Sequence, residues 1–87
     1  MRLRPVSIPP ETLERLAALD ARCDWSVRRG ERRGTRVYWV RVWERQADGT
    51  VPYSGVDGSV SFYRWTLAEA LLSLAMAAEE RGWHRPK

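Results

Sequence analysis

An α+β domain with the element order α-β-β-β-α follows from three features of the sequence. An amphipathic run lies near the start, three strand-like runs, the second of them rich in β-branched and aromatic residues, fill the middle, and a capped amphipathic run closes the chain. Its 87 residues supply apolar material for one core and no more, so residues 1–87 are read as a single domain, with residues 1–8 as an N-terminal arm and 84–87 as a C-terminal tail. The economical architecture is an antiparallel sheet of three strands, or four if a short extra one pairs, with two helices covering one face and the other face wet.

Residues 9–22 form the expected first helix. Pro10 suits its opening turn, Glu11 favours the positive end of the macrodipole, and Leu13, Leu16, Ala17 and Leu19 make its apolar stripe. Residues 25–29 alternate apolar with polar and read as a half-buried strand. The charged stretch 30–34, bracketed by Gly30 and Gly34, reads as a hairpin loop. Residues 35–45 give the strongest strand signal. On that strand Tyr38, Val40 and Val42 form a clean apolar face, whereas Val37, Trp39, Arg41, Trp43 and Arg45 carry charge at the centre of theirs, so the even face is assigned to the core.

Asp48-Gly49 signals a turn, and residues 51–53 are expected to pair briefly at an edge, since Pro52 cannot donate to a ladder. Gly55 and Asp57-Gly58 mark another turn or bulge before the third strand at 59–64. From Thr66 the period becomes helical. Thr66-Leu67-Ala68-Glu69 fits a capping box, Leu67, Ala70, Leu71, Leu74, Ala75 and Ala78 share one face, and Gly82-Trp83 resembles a left-handed cap closed by an apolar contact. Trp25, Val27, Tyr38, Val40, Val42, Val60 and Phe62 are the expected sheet contribution to the core.

The inventory for catalysis is thin. Cys23 is the lone cysteine, so it forms no internal disulfide, and one thiol with one histidine, His84, builds no structural zinc site. Cys23 is expected as a buried small thiol and His84 as a frayed terminal residue. Glu79 and Glu80 are helix neighbours that point apart, not an acid-base pair. The chain is therefore read as no enzyme, with no cofactor and no metal. The start lacks the apolar core of a secretory signal and no segment reaches membrane-spanning length, which places the expected protein in the cytoplasm.

A formal charge of +4 favours anionic partners. Residues 28–36 hold five arginines, Arg28, Arg29, Arg32, Arg33 and Arg36, against the single Glu31, a net +4 that matches the whole chain. Their readings are a phosphate-contacting hairpin finger or a solvated tip. On the face opposite the core, Trp39, Arg41 and Trp43 stand with Arg28 and Tyr63. That combination serves sheet packing, a protein interface or the stacking of unpaired bases. Leu72 and Met76 widen the apolar stripe of the last helix, with core packing as the commoner outcome.

The element order resembles that of double-stranded RNA-binding domains across most of the chain. That family's basic cluster at the start of its second helix has as counterpart here Thr66-Leu67-Ala68-Glu69-Ala70, which is neutral to acidic. Leu16-Ala17-Ala18-Leu19, Trp25-Ser26-Val27 and Thr66-Leu67-Ala68-Glu69-Ala70-Leu71 together are similar to small phage and prophage α/β-sandwich proteins. That resemblance implies a mobile-element accessory protein that binds and blocks a host enzyme or defence complex. The expectation is thus a non-enzymatic binding module or adaptor for a protein or nucleoprotein complex, with direct nucleic-acid binding as the alternative and a homodimer through the same face, or through Leu72 and Met76, as a third class.

Overall fold

The computed structural model describes residues 8–53 and 58–85, which form α1 (Pro10–Leu19), β1 (Cys23–Arg32), β2 (Thr35–Glu44), β3 (Val60–Arg64) and α2 (Leu67–Glu80). The strands lie in the order β1-β2-β3, antiparallel throughout, so the expected α+β fold with a three-stranded sheet is the observed one. Both helices cover the even face of β2. Leu16 and Leu19 of α1 and Ala70, Leu74, Ala75 and Ala78 of α2 close over Val40 and Val42, with Trp25, Val27, Tyr38, Val60 and Phe62 packed around them. Of the expected arm only Ile8 falls within the described residues; Gly55, Asp57 and residues 86–87 fall outside them.

α1 has no side-chain cap; Pro9 precedes it, Pro10 enters at the first turn, and the Pro9 carbonyl accepts from the amides of Thr12 and Leu13 at 3.0 and 3.2 Å. It stops at Leu19, three residues before the expected end, because residues 20–22 turn the chain into β1. Its buried stripe is Thr12, Leu16 and Leu19. Leu13 and Ala17, expected on that stripe, are exposed, since the helix rotates to set Arg15 against Glu79 of α2. That contact holds the Glu79 carboxyl below its ordinary range, chiefly through the Arg15 hydrogen bond.

α2 starts and ends where the sequence says it should. Thr66 accepts from the Glu69 amide at 3.1 Å and its hydroxyl donates to the Glu69 carboxylate at 2.9 Å. At the other end Gly82 takes φ +77°, its amide reaches the Glu79 carbonyl, and the Trp83 amide reaches the Ala78 carbonyl, the paired bonds of a Schellman motif. Trp83 then folds back into the core at 8% exposure. Residues 82–85, among them the His84 expected to fray, are tied to the domain because Arg22 donates to the carbonyls of Gly82 and Arg85 and to the Glu44 carboxylate, the last at 2.5 Å. His84 lies in this turn with Nδ1 buried.

Residues 51–53 are not part of a strand; the Ser59 amide, at a bridge position just before β3, donates to the Tyr53 carbonyl at 2.9 Å. Asp48 and Gly49 do make the expected turn, with the Asp48 carboxylate accepting from both the amide and the hydroxyl of Thr50. Leu72 and Met76 are 38% and 53% exposed, so the widened stripe of α2 is not taken up by the core. No helix among the described residues is long and apolar enough to cross a membrane.

Candidate functional site

The site is built on the sheet face that the helices leave open, and strand register places its residues in rows. Arg28 pairs with Trp39 and Trp39 with Tyr63; the next row is Ser26, Arg41 and Ser61; Asp24 and Trp43 pair beyond it. Side chains in one row share a face because successive residues of a strand point to opposite sides. Two tryptophan rows are therefore separated by a row whose outer members are serines.

Arg41, in the middle of the low row, donates from Nε to Ser59 Oγ at 2.8 Å and from Nη2 to the Pro52 carbonyl at 2.9 Å. These bonds draw its guanidinium toward the loop before β3 and fasten that loop to the sheet. What remains between the indoles of Trp39 and Trp43 is a concavity of about 550 Å³, floored by Arg41, Ser26 and Ser61, with Arg28 and Val51 at its edge. Arg41 is thus engaged in the fold while lining the site.

Toward the hairpin the face is aromatic. The rings of Trp39 and Tyr63 lie 5.1 Å apart, Trp65 meets Tyr63 edge-on at 5.6 Å, and the Arg32 guanidinium sits over the Tyr63 ring at 4.9 Å. Val37 belongs to this open face and is nevertheless wholly buried. It sits between Gly30 on β1 and the place on the β3 side where the register leads to Trp65. Parity had put Val37 with the solvent-facing residues, and the neighbouring aromatic side chains make the difference.

Gly30 lets Trp39 take its position. A Cβ at residue 30 would come within 2.7 Å of Trp39 Nε1 and 2.8 Å of Cδ1. In an unhindered strand Gly→Ala stabilises by about 0.5 kcal/mol or more through the unfolded chain. Gly30→Ala is expected to reverse that sign, costing about 1 kcal/mol in urea unfolding and altering the near-ultraviolet circular dichroism of the Trp39–Tyr63 pair. A stabilised variant with an unchanged aromatic spectrum would show that Trp39 does not depend on this glycine.

The expected five-residue hairpin loop is corrected. β1 and β2 pair rung by rung as far as Arg32 and Thr35, and only Arg33 and Gly34 turn the chain, at φ +53° and +77°. Positive φ at both central residues is the type I′ geometry that matches strand twist, and it is unusual that an arginine supplies the first of them. The consequence is a stiff ribbon in place of an adaptable loop, and the ribbon sorts its arginines. Arg28 and Arg32 fall on the open face, Arg29 and Arg36 on the helix side, and Arg33 at the tip. All five are exposed.

Apart from Arg32, which lies over Tyr63, they differ from the arginines around the core in lacking partners among the described residues. Arg15 pairs with Glu79, Arg22 with Glu44, and Arg45 with Asp24, while Arg64 donates to Ser73 Oγ at 3.0 Å. Among the described residues, Arg28, Arg29, Arg33 and Arg36 have neither an ion pair nor a side-chain hydrogen bond. Glu31 lies directly across from Arg36 without forming an ion pair with it.

Of the nine residues singled out from the sequence, Arg28, Arg32, Trp39, Arg41, Trp43 and Tyr63 therefore share one face, and Arg29, Arg33 and Arg36 do not. Sequence reasoning missed Ser26 and Ser61, whose smallness opens the concavity, and Trp65, which follows the last strand residue and extends the aromatic row. Cys23 and His84 lie apart from this face: the buried Cys23 thiol donates to the Trp83 carbonyl at 3.8 Å, and burial pushes it up to about 11, which keeps it protonated. No protein-family model, curated protein or solved structure matches this chain.

Proposed function

We propose that this chain is a non-enzymatic binding module that takes a protein or nucleoprotein complex on its open sheet face and its arginine hairpin. The observation that carries the reading is the sorting of arginines. Those around the core are matched to carboxylates, hydroxyls and carbonyls, whereas Arg28, Arg29, Arg33 and Arg36 of the hairpin have no ion pair or side-chain hydrogen bond among the described residues. Like charges crowded on two adjacent strands repel one another, so the arrangement weakens the isolated hairpin and is relieved when an anionic surface arrives. The concavity between Trp39 and Trp43 supplies the second half of such a surface, because partly exposed indoles flanking a polar floor are suited to anchor a side chain of a protein partner. A host nucleoprotein complex of the kind that mobile-element accessory proteins block offers both chemistries at once.

Heparin serves as a test polyanion. Titration followed by tryptophan fluorescence at low salt is expected to show binding that falls at least about tenfold when Arg28, Arg29, Arg33 and Arg36 are all changed to Ala. Arg81→Ala/Arg85→Ala, which removes positive charge from the other end of the chain, is expected to change it little. An equal loss per charge in both variants would mean that overall charge, and no site, governs binding.

A further inference from the structure

The reading above leaves the hairpin's partner chemically open, and the geometry of the ribbon narrows it. Resting on that reading, we infer that the β1–β2 hairpin enters the major groove of duplex DNA, with its two faces addressing the two walls.

Three features carry this. First, exposed arginines stand on both faces of the ribbon and at its tip: Arg28 and Arg32, the latter over the Tyr63 ring, on one side, Arg29 and Arg36 on the other, Arg33 at the turn. A flat partner touches one face and leaves the other pair unanswered. A groove walled by phosphates answers both. Second, the end of the ribbon has no third strand. β3 pairs no further along β2 than Tyr38, so the rungs from Gly30–Val37 to Arg32–Thr35 are two-stranded. Third, the dimensions agree. Two strands lie about 4.8 Å apart, and the three rungs extend roughly 10 Å. The major groove of B-form DNA is about 12 Å wide and 8.5 Å deep, and it admits a two-stranded ribbon. The A-form RNA major groove is too narrow and deep for side chains to read.

The side chains have work to do there. Arginines flanking the ribbon neutralise phosphates on the two strands and release their counterions. Arg33, held at the tip by the tight turn, is placed to meet base edges, where arginine pairs bidentately with guanine. Glu31, midway along the helix-side face, makes that face less positive than the open one.

The test measures fluorescence anisotropy of a labelled 20-base-pair duplex with the whole chain between 50 and 200 mM salt. The arms are wild type, Arg28→Ala/Arg32→Ala and Arg29→Ala/Arg36→Ala, with single-stranded DNA of the same sequence as competitor. Each pair is expected to weaken duplex binding at least about tenfold and to lower the salt slope by about 2, since each lost phosphate contact removes about 0.9. The single strand is expected to compete poorly. Loss confined to the open-face pair, or strong competition by the single strand, overturns the groove and points to a surface lying flat on the sheet. Affinity for heparin without affinity for the duplex overturns this inference and leaves the anionic-partner reading, with an acidic protein surface as the target; affinity for neither overturns both.

Discussion

Leu74→Ala is expected to lower the unfolding free energy by about 3 kcal/mol, a large part of what a domain of this size holds. Leu74 is fully buried in α2, within the cluster that joins Leu16 and Leu19 of α1 to Val40 and Val42 of β2. Removing its branched end leaves a void where the two helices meet the sheet, and α2, anchored at both ends by its caps, cannot close in to fill it. Urea titration should show an earlier midpoint with an unchanged slope, and the thermal midpoint should fall by roughly 15 °C. Leu72→Ala provides the comparison on the same helix. At 38% exposure it buries much less, and its expected cost is below about 1 kcal/mol. A larger loss in Leu72→Ala than in Leu74→Ala would mean that α2 is rotated and that Leu72, not Leu74, faces the sheet.

The difference between these two leucines was only half legible in the sequence. Periodicity put Leu74 on the buried face, because a stripe running from Leu67 to Ala78 is long enough to define a direction. It did not say how wide that face is, since the width depends on how α1 sits against α2, and α1 turned out to bury Thr12 in place of Leu13. The ends of α2 were readable for a simpler reason: a capping box and a Schellman motif involve residues a few positions apart and need nothing from the rest of the chain.

Strand limits behaved differently. Gly30 and Glu31 have poor strand propensity, and they are nevertheless in β1 with Arg32 because each is paired across a ten-residue ladder with β2. A two-residue turn at Arg33-Gly34 carries none of the usual Asn-Gly signal, so the two glycines looked like the brackets of a loop. Once the ladder is known, parity alone divides the hairpin's arginines between the faces. The engagement of Arg41 with Ser59 and Pro52 was beyond parity, since both partners come from the connection before β3 and its path is a property of the folded chain.

The same distinction between local and long-range information governs the C-terminal segment, where Trp83→Ala is expected to cost about 3 kcal/mol and to make Cys23 reactive. Trp83 closes the α2 cap through its amide and fills the core with its ring, and its carbonyl accepts from the Cys23 thiol at the start of β1. Burial raises that thiol from 9.0 to about 11, so at pH 8 only about one molecule in a thousand carries the thiolate. Without the indole, water reaches the sulfur and its pKa returns toward the ordinary range. The rate with a disulfide reagent at pH 8 should then rise on the order of a hundredfold, beyond what the unfolded fraction from urea titration accounts for. Because the raised pKa belongs to the folded state, its contribution to wild-type stability is complete below about pH 9 and is lost as pH rises through 11, by about 2–3 kcal/mol. Cys23→Ala should remove that alkaline fall, and Trp83→Ala should flatten it. A thiol as slow in Trp83→Ala as in wild type would mean that the sheet and α1 shield Cys23 by themselves, and that the last turn contributes packing without sealing the core.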